Sequence, residues 1–429
     1  MKKKINIGYV GLTHLGINYT IASAAHGFNV TAYHFDSEYL SKIKDYQVDF
    51  SEPNLSTYLK KNRARINFTN DLKMISKCDI IYISHDVPID KRGNSDHTLI
   101  KKLINRVIKI AKNNAEIVIL CQVPPGFTEK IKWKKSNLYY QVETLVFGDA
   151  INRAINPERL IVGCNNLDAL YKSKLYQSLK RYKCTIIPMS YNSAETSKIA
   201  INLFLVSSIN TTNMIAEYCE NNNASWSEII PALRNDKRIG KFSYIKPGIG
   251  LGGVNLHRDL ETFKEITNQL NTNNDLIYCW QKNDKHQRKW VFSKIELVMK
   301  KMKRFPKIGL LGLAYKENTN SIKNSLAIEI LKKFQLLEIK IYDPVVKIKP
   351  NTKLHKNVKN IDEAIEFVDL IIIMTPWPEF FKIDFLKYHE INKNLYFIDP
   401  FNVTNIDKAS IANKKRVKTF ILGEGRDLV

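Results

Sequence analysis

Cysteine is scarce in this chain: six in 429 residues, with no Cys-x-x-C pair. Cys78, Cys121, Cys164, Cys184, Cys219 and Cys279 are scattered, which argues against a zinc site or a disulfide framework; no metal is expected. Acidic residues are also few. The 42 Asp and Glu face 66 Lys and Arg, a formal net charge of +24. The basic excess is dispersed, its clusters (300–304, for instance) are short, and no basic motif interleaved with aromatics occurs. Nucleic-acid binding is therefore not expected, whereas a basic field suits capture of an anionic small substrate. No apolar run reads as long enough for a signal peptide or a membrane helix, and Met1-Lys2-Lys3-Lys4 leads directly into a strand-like segment. A cytoplasmic protein without membrane contact is the expectation. The 44% hydrophobic content is enough for full cores, and the length is enough for two or three domains.

What is present is a rhythm. Apolar runs at 5–10, 30–33, 80–84 and 117–121 alternate with helical patterns at 15–25 and 99–111. The rhythm returns with runs at 308–311, 339–342, 370–374 and 396–398 and a helix near 325–334. Strands alternating with helices predict an α/β chain of two Rossmann-like doubly wound domains. Between them, 192–220 has no proline or glycine and places Ala194, Ile199, Leu203, Val206 and Ile209 at helical spacing. That predicts a long central helix packed on several sides and joining the domains. The expected division is 1–190, 191–300 and 301–429.

The segment Gly248-Ile249-Gly250-Leu251-Gly252-Gly253-Val254-Asn255-Leu256-His257-Arg258-Asp259 resembles the active-site loop of the UDP-glucose/GDP-mannose dehydrogenase family. There the loop reads Gly-Phe-Gly-Gly-Ser-Cys, two variable residues, then Lys-Asp. Resembling segments follow in the family's order from about 5 to 426. The resemblance implies NAD as cofactor, a nucleotide-sugar substrate, a homodimer assembled through the long helix, and a place in the synthesis of capsule or surface-polysaccharide precursors. In the family the loop cysteine carries a thioester through which a sugar alcohol becomes an acid. Here Asn255 stands at that position, and an amide forms no thiohemiacetal. The expected function is an NAD-dependent dehydrogenase acting on a UDP-sugar at a UDP-glucose-like C6 hydroxyl, with an altered or single-step oxidation. Full oxidation to a UDP-uronic acid through an aldehyde hydrate stays open. So do an NAD-assisted epimerase and a non-catalytic sugar-nucleotide-binding protein.

At the cofactor end, Gly11-Leu12-Thr13-His14-Leu15-Gly16 follows the first strand. It is a Gly-x-Gly-x-x-Gly fingerprint with Thr13 at the middle glycine. Gly11 makes the tight turn, Gly16 lets helix pack on strand, and the helix N-terminus from Leu15 receives the diphosphate. The ribose-binding acid falls on His34, with Asp36 two residues on. His34 with Lys42 and Lys44 suits a 2′-phosphate as a minority reading; NAD is the expectation. Val87 and Pro88 stand in the family's Gly-Thr-Pro, and Gln122 replaces a threonine before its Val-Pro-x-Gly turn.

At the chemical end, Glu195-Thr196-Ser197-Lys198-Ile199-Ala200-Ile201-Asn202 resembles the family's Ala-Glu-x-x-Lys-x-x-x-Asn. Lys198 and Asn202 share a helix face, and an ammonium there stabilises a developing alkoxide. Asp259 matches the aspartate beside the catalytic water and is expected to relay a proton with Lys198. Glu143 aligns with the glutamate that activates water. For the substrate, Arg238 (in Arg-Ile-Gly) is expected to reach the nucleotide sugar across the dimer. Gly252 and Gly253 allow close backbone approach. Lys316 is kept in the Gly-Leu-Ala-Tyr-Lys segment, and Phe401 stands where the family's diphosphate-gripping arginine would be, able to stack on a ring.

Overall fold

The computed structural model describes residues 5–88, 90, 95–405 and 417–425. The chain separates into two compact units, Met1–Ile201 and Asn202–Val429.

The first unit is built on an eight-stranded sheet. Its strands are β1 (Asn6–Val10), β2 (Asn29–Tyr33), β3 (Ile66–Thr69), β4 (Ile80–Ile83), β5 (Glu116–Ile119), β6 (Leu138–Gln141), β7 (Arg159–Gly163) and β8 (Thr185–Met189), in the order β3-β2-β1-β4-β5-β6-β7-β8. β1 to β6 are parallel, β7 runs antiparallel to β6, and β8 runs parallel to β7. β4 and β5 are buried at every position. That is why they read as continuous apolar runs rather than alternating ones: helices cover both faces of a parallel sheet. The first helix, His14–Ala25, packs close to β1 because Gly16 has no Cβ; one would lie 1.8 Å from the Gly11 carbonyl oxygen.

The second unit holds a six-stranded parallel sheet of β9 (Ile308–Leu311), β10 (Ile339–Tyr342), β11 (His355–Asn357), β12 (Leu370–Ile373), β13 (Tyr396–Ile398) and β14 (Lys418–Phe420), in the order β11-β10-β9-β12-β13-β14. Helix Lys289–Met302 buries Trp290, Val291, Ile295 and Val298 against this sheet's core. The expected α/β class with two doubly wound sheets is the one observed. The strands and helices foreseen end within a residue or two of those seen, as assignments of element ends commonly do.

The long helix runs from Tyr191 to Asn221, and the boundary between the units falls inside it. It is packed on part of its surface. Ala194, Ile199 and Val206 are buried, whereas Phe204, Met214 and Tyr218 are 79%, 58% and 62% exposed. It is also long and apolar enough to cross a membrane by length and composition, contrary to the sequence reading. The core helix of a globular unit passes that test too, and here buried Asn202, Asn210, Thr212 and Asn213 interrupt the apolar surface. Asn213 Oδ1 accepts from the Gly248 amide at 2.9 Å, and Asn210 Oδ1 from Asn283 Nδ2 at 2.9 Å.

Candidate active site

Gly11 directly follows β1 with φ +100°, and a Cβ there would come within 2.5 Å of His85 Cβ. The turn can only be glycine. Thr13 is the N-cap residue of the first helix in extended conformation, yet its hydroxyl does not cap that helix. Thr13 Oγ1 instead accepts from the Asp86 amide at 2.7 Å, while Asp86 Oδ2 lies 3.5 Å from the Leu15 amide. Val87 is buried beyond this contact and Pro88 exposed. These residues, with His34 after β2 and Gln122 after β5, follow the carboxyl ends of β1, β2, β4 and β5, neighbours in the sheet. Strand order reverses between β1 and β4, the place where open α/β sheets bind ligands. The cradle of Gly11, Gly16 and the helix N-terminus fits a dinucleotide's diphosphate.

His34 is buried, and its Nδ1 accepts from the Asp36 amide at 3.2 Å, which puts the ring proton on Nε2. Burial, then neighbouring His85, lowers its pKa. It is therefore a neutral ring that stacks on Phe35 at 4.5 Å, not a cation awaiting a 2′-phosphate. Lys42 Nζ lies 3.2 Å from Glu38 in an exposed pair, so of the three supports of the minority NADP reading it is the His34 cation that is withdrawn. Asp36 Oδ1 caps the next helix by accepting from the Glu38 and Tyr39 amides.

On the long helix, Lys198 is 9% exposed and its Nζ lies 2.6 Å from Glu143 Oε1. Glu143 Oε2 also accepts from the Leu145 amide at 3.0 Å. One turn earlier, fully buried Glu195 accepts from the Gly126 and Thr128 amides at 2.6 and 2.8 Å. Burial raises its pKa against those donors. Glu195 thereby fixes the Pro-x-Gly turn of the cofactor side to the helix that carries Lys198.

In the second unit, Asn202 Nδ2 donates to Asp259 Oδ2, and Asp259 Oδ1 accepts from Arg258 Nε at 3.1 Å. Asp259 is wholly buried and Arg258 nearly so. With its Nδ2 committed to Asp259, Asn202 presents Oδ1 as an acceptor. Lys198 thus has Glu143 as a close partner in the first unit, and Asp259 has Asn202 in the second.

The glycine loop is shaped from several sides. A Cβ on Gly252 or Gly253 would come within 3.0 or 2.9 Å of the Tyr315 ring. Asp284 Oδ1 accepts from the Leu251 amide at 2.6 Å, His257 Nε2 meets the Leu251 carbonyl at 3.2 Å, and Asn324 Nδ2 donates to the Gly253 carbonyl. Asn255 is exposed at the first position of helix Asn255–Gln269. A thiol there would have its pKa lowered by the helix N-terminus; an amide draws nothing from that field. Arg238 is exposed and held by Asp236 at 3.0 and 2.6 Å. Lys316 Nζ lies 5.8 Å from the Tyr315 ring centre. Phe401 is half-buried, and Lys246 Nζ stands 6.0 Å from its ring centre, a cation close to the place where the family's arginine would be.

Glu195, Arg258, Asp284, Tyr315, Asn324 and the partner role of Asp86 were not among the residues singled out. Glu195, Arg258 and Tyr315 lay inside motifs already quoted. Asp284 and Asn324 act on loop atoms 33 and 71 residues away and left no signal in local spacing.

Three models of the UDP-glucose/GDP-mannose dehydrogenase family match the chain: the NAD binding domain over 5–180, the central domain over 192–285 and the UDP binding domain over 309–406. The chain is 29% identical to the UDP-glucose 6-dehydrogenase TuaD of Bacillus subtilis (strain 168), across 96% of this chain and 92% of that protein. It is 27% identical to a UDP-glucose 6-dehydrogenase of Rickettsia conorii, across 93% and 95%. The fold matches a UDP-glucose dehydrogenase from Pyrobaculum islandicum with TM-score 0.82 at 20% identity, covering 97% of each chain. It matches a UDP-D-ManNAc dehydrogenase from Pyrococcus horikoshii with TM-score 0.82 at 20% identity, covering 98% and 100%.

Proposed function

We propose that this chain, which belongs to the UDP-glucose/GDP-mannose dehydrogenase family, oxidises the C6 carbinol of a UDP-sugar of the UDP-glucose type by a route without a thioester. The observation that carries the proposal is a contrast. The groups that manage oxygen and proton are paired, buried Lys198 with half-buried Glu143 and buried Asn202 with buried Asp259, while Asn255 heads the loop helix where a nucleophilic sulfur would act.

NAD, when bound, accepts the hydride. Lys198 stabilises the alkoxide as the hydroxyl proton departs, and Glu143, 2.6 Å from its ammonium, is the base that receives that proton. Arg258 balances the charge of Asp259, and Asp259 in turn holds the Asn202 amide with its oxygen free to accept from a neighbouring, non-reacting hydroxyl of the sugar. The product of this step is an aldehyde. A second oxidation without sulfur would require water to add to the aldehyde, giving a geminal diol that could give up a second hydride, with its two hydroxyl protons passing to a base and to solvent, and leave a carboxylate. The Glu143–Lys198 pair favours this second reading, because Glu143, once it has passed the first proton to solvent, is again a carboxylate at hand to deprotonate that water.

Homodimer assembly belongs to the same proposal. Its support is the stripe of Phe204, Met214 and Tyr218, exposed on the long helix. Arg238, exposed and held by Asp236, suits a role toward a neighbouring copy's substrate.

The test is anaerobic incubation with NAD and a panel of UDP- and GDP-sugars, counting reduced cofactor and weighing the product. One NADH per sugar with an aldehyde product marks the single oxidation. Two with an acid product mark the hydrate route. Sugar-nucleotide binding with no NADH sinks the dehydrogenase reading and leaves the epimerase or binder.

A further inference from the structure

We infer that Thr13 and Asp86 form a latch over the cofactor cradle, competing with the cofactor's diphosphate for the head of the first helix. The head of a helix offers amides that its own turn cannot satisfy, and these favour an anion. In this chain the anion already present is its own. Asp86 Oδ2 approaches the Leu15 amide at 3.5 Å, and the Asp86 amide donates to Thr13 Oγ1 at 2.7 Å.

The two residues depart from the family's pattern together. Thr13 stands at the middle glycine of the fingerprint, and Asp86 at the glycine of Gly-Thr-Pro. A glycine at 13 would provide no acceptor for the Asp86 amide, and a glycine at 86 would provide no carboxylate. The contact is not a loose one. The segment after β4 is pressed onto the turn after β1, with His85 Cβ occupying the space beside Gly11. Asp86 itself is exposed, so its carboxylate is free to rotate away. A diphosphate and a carboxylate cannot both sit on the Leu15 amide. Cofactor binding therefore turns the Asp86 side chain out and works against its charge, and Asp86 sets the affinity for anything carrying that diphosphate.

The inference rests on NAD as cofactor and not on which oxidation follows. The test is calorimetric titration of the full chain and of Asp86→Asn, Asp86→Gly and Thr13→Val with NADH, ADP-ribose and adenosine, with melting temperatures to confirm folding. Asp86→Asn keeps the shape and removes the charge. It is expected to tighten NADH and ADP-ribose about tenfold, the scale of one screened unit charge removed near a diphosphate, and to leave adenosine unchanged because adenosine carries no phosphate. Asp86→Gly is expected to follow it, and Thr13→Val to tighten both diphosphates by roughly threefold through loss of one hydrogen bond to the segment. Unchanged or weaker ADP-ribose binding in Asp86→Asn overturns the latch, as does an equal change for adenosine. Failure of the dehydrogenase reading shows itself elsewhere, as missing turnover with these affinities intact.

Discussion

The two sheets share one plan and use it oppositely. Both run in the order that places the first strand beside the fourth. In both a glycine follows the first strand, Gly11 at φ +100° and Gly312 at φ +94°. In both its amide bonds to the end of the second strand, Tyr33 in one and Tyr342 in the other, at 3.0 and 2.8 Å. The next residue differs. In the first unit it is His34, neutral and stacked; in the second it is Asp343. An acid at this place is what a dinucleotide domain keeps for a ribose, and here it stands in the unit matched by the UDP binding model. Asp343 is not available to a ribose, because its oxygens accept from the Leu313, Ala314, Val345 and Val346 amides and from Trp377 Nε1. The first unit opens a helix at His14, whereas the second waits until Leu326. The same topology thus ends its second strand in a neutral, stacked ring in one unit and in an acid satisfied from within in the other.

The sharpest way to separate the units is to compare one lysine from each. Lys198→Ala is expected to lower kcat about a thousandfold, roughly 4 kcal/mol of barrier, with little change in KM for the sugar. Lys316→Ala is expected to raise KM with kcat nearly kept. Steady-state kinetics reads the split, and a shared effect on both constants would erase the division of labour.

Next in size is Asp343→Ala, expected to destabilise the second unit by about 3 kcal/mol because buried donors lose their acceptor. Urea unfolding measures it, and a change under 1 kcal/mol would contradict the internal role. Gly11→Ala and Gly312→Ala follow, each expected to cost about 2 kcal/mol from positive φ and a blocked Cβ. Only the first is expected to weaken NADH binding, which titration of the folded variants decides.

The smallest expected effect concerns a feature the units hold in common. Asp79 before β4 accepts from the Asn6 amide at 3.0 Å and pairs with Lys174 at 2.7 Å. Asp369 before β12 accepts from the Lys307 amide at 2.9 Å and pairs with Arg304 at 2.7 and 2.8 Å. Burial pushes both carboxyls up, but those bonds and charges outweigh it and both lie below the usual carboxylate range. A depressed carboxyl stabilises the fold above its unfolded pKa and loses that contribution as pH falls through the folded value. Asp79→Asn and Asp369→Asn are each expected to cost about 1 kcal/mol at pH 7, discounted for exposed partners. The gap to the parent should close below pH 4, within the ordinary range of these carboxyls. Denaturation midpoints across pH test the sign.

Much of this plan was legible in the sequence. Strands such as Ile80–Ile83 and Ile308–Leu311 are apolar throughout because both faces are covered, and that leaves a plain trace. Ile66–Thr69 and His355–Asn357 were missed: the first alternates buried and open positions over four residues and the second is three residues long, too short for periodicity to register. Leu138–Gln141 is fully buried, yet its tyrosines and glutamine do not read as an apolar run. The roles expected of Lys198, Asn202, Asp259 and Glu143 came from resemblance. Their pairing came from structure, because Asn202 and Asp259 are 57 residues apart and local spacing says nothing about that distance.

Asn255 also changes what can poison this protein. Where the family's pattern has a thiol, an amide gives peroxide and alkylating reagents nothing to attack. Among the six cysteines, Cys78, Cys121, Cys164 and Cys219 are buried, and burial pushes the thiols of Cys78 and Cys121 up to about 11 and about 12. Cys279 alone is exposed, on a helix outside the glycine loop. With Asn255 at the head of the loop helix, the thiol most open to such reagents is Cys279, away from the glycine loop.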